Sequence, residues 1–272
     1  MVTVLRPLST SELLDRTFHI YRNNFLVFVG IAAIPQLFVL ALRLVAALML
    51  TSYTLVFLST IIGLVAALVS YAAINISQAA TVMAVSDIHL EKPVSIGSAF
   101  SAAQSSMGRV IWISFVMSIA IGIACIFLVI PGIYVALMWA VTIPVTVLEG
   151  GGLGFSTDRS STLTKGSRGR IFVIYLLLIV LIVVVAMICQ IPLGIVVAMM
   201  AHGNPAGALT LVQIVSSIGE FLSTSLVGGL ATIALTLIYY DLRVRKEGFD
   251  LQLLMAGLQG GGAQAAAASP SA

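Results

Sequence analysis

Charge is what this sequence has least of. Its 272 residues include 13 lysines and arginines and 10 aspartates and glutamates, 8% of the chain. A soluble domain carries about 25%. With 60% of residues hydrophobic, the balance excludes a soluble globular enzyme and a disordered chain. A net charge of +3 is too small for a nucleic-acid partner, which would need many phosphates neutralised. Cysteine is also scarce. Cys125 and Cys189 lie in apolar runs with no CxxC or Cys/His spacing, which excludes a disulfide framework and a zinc site. His89, with Asp87 and Glu91 beside it, has no second ligand group at metal spacing and reads as a solvated loop. No HExxH, GxSxG or GxxxxGK[ST] motif is present. The glycines from Gly150 to Gly154 follow an apolar helix, not a strand, so they read as a flexible joint. No metal, cofactor or enzymatic activity is expected.

Long apolar runs fill the space that charge leaves. A helix crosses a bilayer with about 20 apolar residues. From Phe25 to Ser86 the only charge is Arg43, and from Val110 to Leu148 there is none. From Ile171 to Tyr240 the only charge is Glu220. Each run holds two helices, divided near Thr51, Ser52 and Tyr53, at Pro131 and Gly132, and at His202, Gly203, Asn204 and Pro205. The fold class expected is all-α: a polytopic membrane protein with six transmembrane helices in three hairpins. The spans fall at about 25–50, 55–86, 110–130, 133–148, 171–200 and 209–240 within a transmembrane domain of residues 25–248. No barrel-like alternation appears.

The few basic residues then set the orientation. Twelve of 13 precede span one, follow span six, or lie between spans two and three or four and five; Arg43 is the exception. The positive-inside rule puts both termini in the cytoplasm. Residues 1–24 carry five charges and no apolar signal core, so span one is expected to be an uncleaved anchor. A cytoplasmic tail covers 249–272, disordered from about 260, where Gly, Ala and Ser dominate.

Cytoplasmic amphipathic helices are expected before each hairpin. In residues 1–24, Ser9 and Glu12 form a capping box, and Leu14, Phe18, Tyr21 and Phe25 share one face. Further segments run from Ser95 to Met107 and from Leu153 to Lys165. A repeated helix-plus-hairpin unit is a hypothesis. Gly108-Arg109 and Gly169-Arg170 are 61 residues apart, and so are Ile130-Pro131 and Ile191-Pro192.

Polar groups inside the spans are the site candidates. Arg43 and Glu220 lie about 27 and 30 Å from the inner ends of spans one and six. They read either as an ion pair or as separate snorkelling side chains. Gln36, Asn75 and Gln78 sit about 12–16 Å up spans one and two, near the midplane. They offer a small polar site for a solute, or interhelical hydrogen bonds. Arg22, Arg109, Arg168, Arg170, Arg243, Arg245 and Lys246 are candidate contacts for anionic lipid headgroups at the cytoplasmic face.

Two stretches carry a family resemblance. One is Arg6-Pro7-Leu8-Ser9 with Glu12-Leu13-Leu14-Asp15-Arg16 and Tyr21-Arg22-Asn23-Asn24-Phe25. The other is Tyr239-Tyr240-Asp241-Leu242-Arg243-Val244-Arg245 with Glu247-Gly248-Phe249-Asp250-Leu251. Between them lie Ile130-Pro131-Gly132-Ile133-Tyr134, Val147-Leu148-Glu149-Gly150 and Lys165-Gly166. Across residues 6–254 the chain resembles the glycerophosphoryl diester phosphodiesterase membrane-domain family. The resemblance implies a bacterial plasma membrane. It does not bring the phosphodiesterase activity, because only a short tail follows Leu254. The function expected is a non-enzymatic membrane protein that organises lipids or partner proteins. The alternative is a transporter or channel for a small solute or lipid, using the midplane site.

Overall fold

A computed structural model describes residues 8–49, 55–201 and 205–247. The turns at 51–53 and 202–204, Arg6, Gly248 and the 249–272 tail lie outside the described residues. The described chain is all helix: α1 Thr10–Asn23, α2 Phe25–Met49, α3 Val56–His89, α4 Ile96–Phe127, α5 Val129–Met138, α6 Thr142–Leu148, α7 Leu153–Thr164, α8 Arg168–Ala201 and α9 Pro205–Glu247. Six stretches are long and apolar enough to cross a bilayer: Phe25–Met49, Val56–His89, Ile96–Phe127, Val129–Leu148, Arg168–Met199 and Thr210–Glu247. This is a multi-pass membrane protein.

Helix α9 is the central post. Helices α1, α2, α3 and α8 all pack on it. The buried core gathers towards the end where the basic residues lie: Leu13, Phe28, Val85, Ala103, Val145, Ile171, Ile233 and Tyr239 all belong to it. At the far end, Leu64 and Leu68 of α3, Ile126 of α4 and Ile195 of α8 stand exposed. Lipid tails are as apolar as leucine, so no hydrophobic drive buries these side chains.

The amphipathic segments are built into the helical packing. The Ser9–Glu12 capping box starts α1, but α1 packs on α9 through Leu13, Thr17 and Ile20, leaving Phe18 and Phe25 exposed. Thr17 looks polar in sequence, yet its hydroxyl donates to the Leu13 carbonyl at 2.8 Å and its surface is hidden. The Ser95–Met107 segment is the first part of α4, continuous with the span above it. The third segment, α7, is buried along Ser156, Ser160, Leu163 and Thr164.

Its burial has a cause in span four. Pro144 has no amide to offer and its ring crowds the preceding turn, so the helix breaks between α5 and α6. The break leaves backbone groups open, and α7 fills them. Ser160 Oγ donates to the Met138 carbonyl at 3.1 Å and accepts from the Val141 amide at 3.3 Å. Thr164 Oγ1 donates to the same Met138 carbonyl at 3.1 Å.

The α4–α5 hairpin turns on one residue, Leu128, which is extended. Pro131 sits in the first turn of α5, where a missing amide costs little. Gly132 lies inside α5, not in the turn. A Cβ there would overlap the Cys125 sulfur, so the glycine permits close contact between the two helices. Pro192, its counterpart in the proposed repeat, is interior to an unbroken α8. The two Ile-Pro pairs therefore do different structural jobs.

Candidate functional site: a polar seam above a charged base

The seam begins with Pro35. Without an amide at this position, α2 leaves the Ile31 carbonyl open. Ser77 of α3 fills it, donating through Oγ at 3.1 Å. Beside this bond, Gln36, Ser77, Gln78, Thr81, Thr224 and Gly228 line a cavity of about 40 Å³ between α2, α3 and α9. That is room for one or two waters, not for a solute. The Gln78 Oε1 is buried with no hydrogen-bond partner among the described residues, so a water suits the space.

Of the three midplane amides read from sequence, Gln36 and Gln78 meet at this cavity. Asn75 does not, because its side chain donates to the Tyr71 carbonyl of its own helix at 2.8 Å. Residues three apart on a helix differ in direction by about 60°, enough to aim the two amides apart. Thr224, Gly228 and Gly229 on α9 were not singled out in sequence. A Cβ on Gly229 would stand 3.5 Å from that of Phe28, so these glycines let α9 approach α2. Their signal was a glycine pair in an apolar run.

Gln36 also lines a second space of about 10 Å³, with Arg43, Ser217 and Glu220. Arg43 donates to the Glu220 carboxylate, joining α2 to α9. The pair closes the seam at its far end.

Replacing Ser77 with Ala should cost about 1 kcal/mol in unfolding of the purified protein. The same change in a Pro35→Ala background should cost much less, because losing the proline restores an amide that can bond the Ile31 carbonyl. A double-mutant cycle measures this. Equal losses in both backgrounds would show that Ser77 does not serve the Ile31 carbonyl.

The base is a set of ion pairs. Asp241, whose side chain is 1% exposed, accepts from Arg170 at 2.6 Å, Arg245 at 2.9 Å and the Leu8 amide at 2.7 Å. Arg170 and Arg245 also donate to the Leu8 carbonyl. One carboxylate thus ties the N-terminal segment to α8 and α9. In a second cluster Glu149 accepts from Arg159 and from the Tyr239 hydroxyl, and Glu247 accepts from Arg159 and Arg243. Hydrogen bonding to Glu247, and then to Glu149, raises the Arg159 pKa. Burial pushes the Tyr21 phenol up to about 12, and its hydroxyl donates to the Leu226 carbonyl.

The seven candidate headgroup contacts are therefore not alike. Arg170, Arg243 and Arg245 are paired with carboxylates. Arg109 donates to the Gly150 carbonyl and Arg168 to the Tyr134 hydroxyl. Lys246 holds two carbonyls at the end of α7, and Arg22 is exposed in the last turn of α1. His89 stacks on Tyr240 with centroids 4.7 Å apart, and no metal-ligand cluster occurs among the described residues. No family model, curated protein or solved structure matches the chain.

Proposed function

We propose that this chain is a non-enzymatic protein of a bacterial plasma membrane, with both termini cytoplasmic, that organises the lipids around it. The resemblance to the phosphodiesterase membrane-domain family belongs to the same proposal. The observation that carries the reading is the shape of the lipid-facing surface. Helix α5 has 10 residues, about 15 Å. Tyr134 touches Arg168 at the foot of α8. The tip at Leu128 is only six residues, about 9 Å of helix, from Tyr134. Beside it, α8 runs 34 residues, about 51 Å. The tip residues Ile126 to Ile130 are all exposed. An apolar hairpin tip that stops so near the foot of a much longer helix obliges the surrounding chains to adapt.

The alternative, passage of a small solute, would need the seam cavity around the unpartnered Gln78 to open beyond its room for one or two waters. One preparation separates the two. In proteoliposomes carrying spin-labelled phospholipid, lipid organisation gives a motionally restricted lipid population and no solute-driven swelling. Rapid swelling without a restricted population would replace this proposal with transport.

A further inference from the structure

Three cations on the basic end stand apart from the ion-pair network. Lys165 ends α7, Arg168 begins α8 and Lys246 is near the end of α9. Lys246 Nζ donates to the Thr162 and Lys165 carbonyls, each at 2.7 Å, which holds it beside Lys165. The charges of Lys165 and Arg168 both act on Lys246. The three therefore form one cluster of like charge. Four nearby arginines, Arg159, Arg170, Arg243 and Arg245, each have a carboxylate within 4 Å. Among the described residues, no carboxylate pairs with Lys165, Arg168 or Lys246.

Donors remain unused at this cluster. An ammonium has three protons, and Lys246 gives two to carbonyls. Arg168 gives one nitrogen to the Tyr134 hydroxyl while its guanidinium lies 4.5 Å from that ring's centroid. Its Nε is buried and has no partner among the described residues. Helix α8 starts here with no acidic residue in its first turn, so its positive end adds to the field. Nothing crowds Gly166 or Gly169, and the approach is open.

We propose that Lys165, Arg168 and Lys246 form a binding site for the phosphate of an anionic phospholipid headgroup, beside Tyr134 where α5, α7, α8 and α9 meet. The inference rests on the lipid-organising reading and names the lipid class. A phosphodiester offers two charged oxygens to a guanidinium fork and neighbouring ammonium groups. The apolar surround favours a lipid over a free ion. Ile130 and Ile133 on α5, and Phe172 and Leu176 on α8, are exposed next to the site and suit acyl chains.

The test uses the full chain in bilayers of phosphatidylcholine with trace spin-labelled phosphatidylglycerol or phosphatidylcholine. Wild type should hold the anionic probe in the restricted population in preference to the zwitterionic one. Lys165→Gln with Arg168→Gln should cut that preference by about five-fold for each charge removed, leaving the total restricted population intact. Lys246 is kept, because it also caps α7. Lys92→Gln, an exposed charge on the same end, should retain the preference. An equal loss per charge in Lys92→Gln would overturn the site in favour of diffuse attraction. An unchanged preference in the double variant, with its fold intact by circular dichroism, would overturn it outright. Displacement of the anionic probe by inorganic phosphate alone would overturn the lipid as its source. Absence of any restricted population in wild type would instead sink the lipid-organising reading beneath it.

Discussion

Asp241→Ala should lower the unfolding free energy of the purified protein by about 3 kcal/mol, the range found when one partner of a buried ion pair is removed. The carboxylate is almost fully buried and answers two arginines and one amide. Removing it leaves Arg170 and Arg245 facing each other with only the Leu8 carbonyl between them. Glu220→Ala makes the contrast. Glu220 pairs with Arg43, but its side chain is 49% exposed, and such pairs are worth about 0–1 kcal/mol. Denaturant titration of both variants in the same detergent gives the comparison. Equal losses would mean that Asp241 is not the tie between the N-terminal segment, α8 and α9.

The second large effect belongs to α7. Ser160→Ala with Thr164→Val should cost about 3 kcal/mol, since a buried unsatisfied backbone group costs about 1–3 kcal/mol. Ser160→Ala alone should account for most of it. That hydroxyl serves both the Met138 carbonyl and the Val141 amide, whereas Thr164 shares only the carbonyl. If Thr164→Val proved the costlier single change, the repair of span four would have been assigned to the wrong hydroxyl.

What the sequence made legible follows from what periodicity and hydropathy measure. The six apolar stretches stand out because charge is nearly absent from them. Arg43 and Glu220 could be matched because a fixed rise per residue converts sequence position into depth. Lateral position has no such ruler, and only the packing of α2 on α9 brings the two together. The direction of an amide was equally hidden: Gln78 and Asn75 are three residues apart, yet one faces the cavity and the other bonds its own helix. Helix α7 was the hardest. Ser160 and Thr164 are one helical turn apart in a polar segment. Their use is to repair a break that Pro144 creates in another helix, and no local pattern records that errand. The basic residues misled in one respect. Their sequence positions mark one end of the molecule, but several are already occupied by Asp241, Glu149 and Glu247.

The repair of span four also sets an order of events during synthesis. The Met138 carbonyl and its partner at Thr164 are 26 residues apart, and the chain must be made in that order. At about 5–20 residues per second, the hairpin waits between roughly one and five seconds with an open carbonyl at its break. Span four cannot settle until α7 has emerged. The seating of span four is therefore set by the birth of the helix after it.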